Sequence, residues 1–129
     1  MLMKLTRLFN SMQDYHNLLV WKKSFEFVKS VYTLSGGFPK EEMFGLTSQL
    51  RRAAVSVVAN IVEGRGKPTD KDFLKFLFIS NGSLNECQCY FELALELNFI
   101  TQAQFDLIYN KSKEVGFLLY RMIESLKVA

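Results

Sequence analysis

The segment from Gly45 to Pro68, GLTSQLRRAAVSVVANIVEGRGKP, constrains the fold of this chain more than any other. At about 100° per residue, Leu46, Leu50, Ala53, Ala54, Val57 and Ile61 share one arc of a helical wheel. Val55, Val58 and Val62 form a second stripe beside it, with Arg51 at its N-terminal end. Only Ser48, Gln49, Arg52, Ser56, Asn60 and Glu63 remain as a polar arc. A surface helix needs an apolar stripe of roughly 100°, whereas this one spans about half the wheel. It therefore meets more than one packing surface. Either it touches two neighbours within its own fold, or Val55, Val58 and Val62 form a subunit interface. The small side chains of Ala53, Ala54, Ser56 and Ala59 let adjacent backbones come close. Gly64 and Gly66 predict the stop, since glycine suits the left-handed conformation at a helix end.

The flanking chain carries three more helical patterns. Asn17 is placed to cap a first helix running to about Leu34, with Leu18, Trp21, Phe25, Val28 and Tyr32 at the 3.6-residue period. Gly36 and Gly37 end it, Phe38-Pro39-Lys40 connect, and Glu41 and Glu42 supply negative charge where the central helix begins. Thr69 and Asp72 form a capping-box variant opening a third helix to about Asn98. Its core arc holds Phe73, Phe76, Leu77, Leu84, Cys87, Phe91, Ala94 and Leu95, with Ile79, Tyr90, Leu93 and Leu97 alongside. Gly82 and Ser83 interrupt it at a cost of up to about 1 kcal/mol, which close contact with another helix would offset. Thr101 and Gln104 open a fourth helix to about Lys127, burying Phe105, Ile108, Val115, Leu119, Met122 and Leu126. Helices joined by such short links pack antiparallel. The expected fold is all-α, an antiparallel up-down-up-down four-helix bundle over residues 13–129, preceded by an extension at 1–12.

Composition excludes several classes. At 129 residues and 49% hydrophobic content, the chain is one folded domain rather than a disordered one. A net charge of +3 is mildly basic and far below that of a protein built to coat nucleic acid. No apolar run approaches the roughly 18 residues of a membrane span. The N-terminus lacks the apolar region and cleavage site of a secretory signal, so a cytoplasmic location is expected.

Chemistry is sparse. Cys87 and Cys89, two apart on a helix, point about 200° apart and cannot bridge; with the single histidine, His16, they are too few for a zinc site. No Glu-x-x-His spacing offers a carboxylate-bridged metal centre. Glu63, Glu86, Glu92 and Glu96 read as helix-surface acids. In Gly64-Arg65-Gly66-Lys67-Pro68 the glycines beside a lysine suggest a phosphate loop, but Ile61 stands where a Walker motif needs glycine and Pro68 where it needs Ser or Thr. Neither catalysis nor a cofactor is expected. Cations are better placed: Arg51, Arg52, Arg65, Lys67, Lys71 and Lys75 fall around the second loop, and Lys22 and Lys23 lie upstream. They suit phosphate contacts, unless Glu63, Asp70 and Asp72 neutralise them and leave an ordinary surface.

The run Gln49-Leu50-Arg51-Arg52-Ala53-Ala54-Val55-Ser56, with Asn60-Ile61 and Glu63-Gly64, resembles the signature of the four-helix bundle protein family, also called the 23S rRNA intervening-sequence protein family. Leu19 to Ser24, Phe38 to Glu42 and Gly82 to Glu86 extend the likeness from about Met12 to the end. One departure is Val58, where the family commonly has proline. The resemblance implies the same bundle. The accessory variability determinant of diversity-generating retroelements is also similar and implies a homopentamer. Together these imply a non-catalytic oligomeric scaffold binding RNA or a nucleic-acid enzyme, with Arg51, Arg52, Arg65 and Lys67 as contacts. The rival reading is a structural or protein-interaction bundle whose Arg51 and Arg52 serve ion pairs.

Overall fold

A computed structural model describes residues 1–6 and 14–127. Residues 7–12 of the extension lie outside the described residues; residues 2–6 form an exposed helical turn. Four long helices follow: α1 (Leu19–Ser35), α2 (Leu46–Arg65), α3 (Asp70–Glu96) and α4 (Gln102–Lys127), with a short 3-10 turn at Lys40–Glu42. No strand occurs among the described residues. No helix among them is long and apolar enough to cross a membrane.

The helix starts largely follow the capping chemistry. At α4 the box is reciprocal: Gln104 N donates to Thr101 Oγ1 at 3.1 Å and Thr101 N to Gln104 Oε1 at 2.8 Å. At α3, Asp72 N donates to Thr69 Oγ1, while the Asp72 carboxylate accepts from the Thr69 hydroxyl at 2.9 Å instead of from the backbone. Glu42 does reach the start of α2, accepting from Leu46 N at 3.0 Å. Asn17 does not cap α1. Its amide donates to the Asp14 carboxylate, and Leu18 occupies the cap without a side-chain bond.

The helices pack in cyclic order, each on the next and α1 on α4, with the α2–α3 contact the most extensive. The predicted α2 arc is buried throughout: Leu46, Leu50, Ala53, Ala54, Val57 and Ile61. Close approach to α3 depends on small groups. Ser80 Oγ donates to Val57 O at 2.7 Å, the Ser56 and Ser83 hydroxyls bond at 2.8 Å, and Gly64 lies against Phe73 and Phe76. Ser83 therefore meets α2 as expected, but Gly82 is exposed, and a Cβ there would meet nothing within 4 Å. Gly64 does not stop α2, being a buried helical residue; Gly66 does cap its C-terminus, but at φ −81° rather than in the left-handed region. The left-handed position belongs to Asn98, at φ 61°, where the Phe99 amide closes α3 on Ala94 O at 2.8 Å. α2 passes through Val58 without a break.

α1 is rotated relative to expectation. Val20, Ser24, Phe27 and Val31 face the core, while Phe25 and Tyr32 are 47% and 43% exposed. Phe27 is drawn inward by Phe91, which it meets edge-on at a 6.0 Å centroid distance. Ser24 fits the centre because its hydroxyl turns back to Trp21 O.

Candidate nucleic-acid and subunit surfaces

The four predicted nucleic-acid contacts do not converge. Fourteen residues separate Arg51 from Arg65 on one helix, about 21 Å at 1.5 Å per residue. Two separate pairs result, one near each end of α2.

Arg51 is occupied within the chain. Its Nε donates to Ser35 Oγ at 2.8 Å, an Nη2 hydrogen to Tyr32 O at 3.3 Å, and its guanidinium sits 4.6 Å from the Tyr32 ring centroid. It closes the C-terminal end of α1, where the helix dipole attracts a cation. Arg51→Ala is therefore expected to lower unfolding free energy by about 1–2 kcal/mol, read as a drop in the urea midpoint. Arg52, one residue on, is exposed.

At the other end, Arg65 Nε is buried without a hydrogen-bond partner. Lys67 lies over the Phe76 ring at 5.1 Å. Lys71 and Lys75, exposed on the first turns of α3, flank the same loop. Ion pairs among the described residues are His16–Asp14, Lys23–Glu114 and Lys127–Glu124. None of Arg51, Arg52, Arg65, Lys67, Lys71 and Lys75 is among them. The expected neutralisation by Glu63, Asp70 and Asp72 does not occur at 4 Å, and Asp72 is engaged by Thr69.

The valine stripe is partly covered. Val55 is 43% exposed and Val58 and Val62 are half-buried. Beside Val55 runs a groove of about 730 Å³ between Tyr32, Thr47, Ala59 and the connector residues Met43 and Phe44. Phe44 is 96% exposed. Sequence reasoning missed it, because a phenylalanine beside a helix start reads as core. Its place in a connector, next to the glycine that opens α2, was the available signal.

Cys87 is buried and Cys89 exposed. Burial, reinforced by the Glu86 carboxylate, pushes the Cys87 thiol from 9.0 up to about 12. Its folded value lies above its unfolded one, so its contribution to stability is complete below pH 9.0 and is lost as pH rises toward 12. Native protein at pH 8 is expected to be alkylated at Cys89 alone, and unfolded protein at both, as counted by mass spectrometry. Among the described residues no three His, Cys, Asp or Glu side chains gather as metal ligands.

A protein of the S23 ribosomal protein family from Bacteroides thetaiotaomicron, itself of unknown function, has a similar structure. It is 30% identical, superposes with a TM-score of 0.76, and the alignment covers 81% of this chain and 98% of that one. No curated protein matches. The profile of the 23S rRNA-intervening sequence proteins matches residues 16–121, which include α1, α2, α3, their connectors and most of α4. The chain belongs to the 23S rRNA-intervening sequence protein family.

Proposed function

We propose that this protein is a non-catalytic, cytoplasmic, oligomeric scaffold that binds RNA, or a protein that processes nucleic acid, through the basic loop between α2 and α3. The observation that carries the reading is the grouping of Arg65, Lys67, Lys71 and Lys75 there, with no carboxylate within ion-pairing distance among the described residues. Cations without a carboxylate partner are the groups that can displace counterions from a phosphate backbone. Assembly strengthens the case, because a ring repeats each loop around its axis and turns a modest patch into a belt. By resemblance to the accessory variability determinant, the ring has five subunits.

The scaffold itself is read as an up-down-up-down bundle. Contacts between α2 and α3 pair residue 56 with 83, 57 with 80 and 64 with 73, so one helix rises as the other falls. Lys23–Glu114 and Ser30–Lys111 run the same way between α1 and α4.

Fluorescence anisotropy with a labelled single-stranded RNA tests the reading. Micromolar binding is expected at about 50 mM salt, weakening steeply by about 200 mM. The double variant Arg65→Gln/Lys67→Gln should flatten the log–log salt slope by roughly 0.7 for each contact removed. No binding at the lower salt rejects the RNA role. It would leave the protein-interaction bundle, which the inward ties of Arg51 favour.

A further inference from the structure

Phe44 sits on a turn closed by local hydrogen bonds. Met43 N donates to Lys40 O, Gly45 N to Glu42 O, and Leu46 N to the Glu42 carboxylate, all within 3.1 Å. The ring stands 96% exposed at the edge of the groove of about 730 Å³ that it helps to line, and leaves that groove open. Burying a phenylalanine is strongly favourable, so a rigid turn presenting one to water marks a contact. Exposed apolar surface continues from the ring along Met43, Tyr32 and Val55.

The charges on this face are complementary. Glu41 is exposed on the Phe44 turn, and Arg52 is exposed on the groove wall; neither forms an ion pair within the chain among the described residues. A turn offering a phenylalanine and a carboxylate matches a groove offering apolar walls and a guanidinium. Both halves of the match belong to the same sequence.

We propose that the occupant of this groove is the Lys40–Phe44 turn of a second copy of the chain, anchored by Phe44 beside Val55 and Ala59, with Glu41 set against Arg52. This inference rests on the oligomeric reading above and identifies its interface, moving the anchor from the valine stripe to the connector before α2. It also assigns Arg52 to assembly rather than to phosphate.

Sedimentation velocity over a concentration series tests it. Phe44→Asp is expected to weaken association by roughly 10- to 100-fold with unchanged helical circular dichroism, because the side chain is almost fully exposed in its own fold. Arg52→Glu should weaken association as well, and the double variant Glu41→Arg/Arg52→Glu should restore it by reversing both charges. If the wild-type chain associates and Phe44→Asp sediments identically, this inference is overturned while the oligomeric scaffold stands, whether RNA, a foreign protein or the chain's own N-terminal residues fill the groove. If the wild-type chain is itself monomeric, both are overturned.

Discussion

Phe91→Ala is expected to lower the unfolding free energy by about 3–5 kcal/mol. Phe91 is fully buried and reaches across the bundle to the edge of Phe27, so it links α1 with α3, which are not neighbours in the cyclic packing order. Truncation removes the aromatic pair and leaves a cavity between elements braced by α2 and α4, which limits collapse. Because a domain of this size is stable by about 5–15 kcal/mol, the variant should be partly unfolded well below the wild-type urea midpoint. The comparison belongs at one fixed protein concentration, since assembly shifts apparent stability. A loss under 1 kcal/mol would mean that the bundle centre is loosely packed.

The two glycines Gly64 and Gly82 are expected to respond to alanine with opposite signs. A Cβ on Gly64 would lie 2.7 Å from Phe76 Cβ and 2.9 Å from Phe73 Cδ1. Neither atom is the free end of a flexible chain, so α2 and α3 must separate. Overpacking of this kind costs about 1–3 kcal/mol, and larger residues cost more. The gain in helix propensity from replacing glycine, up to about 1 kcal/mol, offsets only part of it, giving a net loss of about 1–2 kcal/mol. At Gly82 a Cβ meets nothing within 4 Å. There the propensity gain stands alone, and Gly82→Ala should stabilise by about 0.5–1 kcal/mol. Equal effects at the two sites would remove the close α2–α3 approach from the account.

That pair also shows what periodicity can and cannot reveal. The α2 arc from Leu46 to Ile61 was legible because six apolar residues at helical spacing admit one inward face, and the boxes at Thr69 and Thr101 were legible because capping is local chemistry. Glycines were not. Whether Gly64 ends a helix or admits a neighbour depends on where Phe73 and Phe76 arrive, which is a long-range fact. The phase of α1 was missed for a similar reason: Phe25 and Tyr32 share the 3.6-residue period with Leu18, Trp21 and Val28, which do pack against the core, but the bundle centre took the smaller Ser24 and paired Phe27 with Phe91.

The candidate surfaces divide the same way. Charge placement found the cations around the second loop, but only the fold separates Arg65 and Lys67 from Arg51, which reaches back to the end of α1. The stripe at Val55 was visible on the wheel. Phe44 was not, because solvent exposure of an aromatic residue in a connector follows from the turn that holds it, and that turn depends on the Glu42 carboxylate meeting the Leu46 amide.

Sedimentation equilibrium of the wild-type chain bears most directly on the idea that α2 keeps one side for a second copy. One subunit has a mass of 14.9 kDa. The expected result is a single species at an integral multiple of that mass, five-fold if the ring resembles that of the retroelement protein. A uniform 14.9 kDa particle across the accessible concentration range would contradict it, leaving the open groove and Phe44 without a subunit to meet.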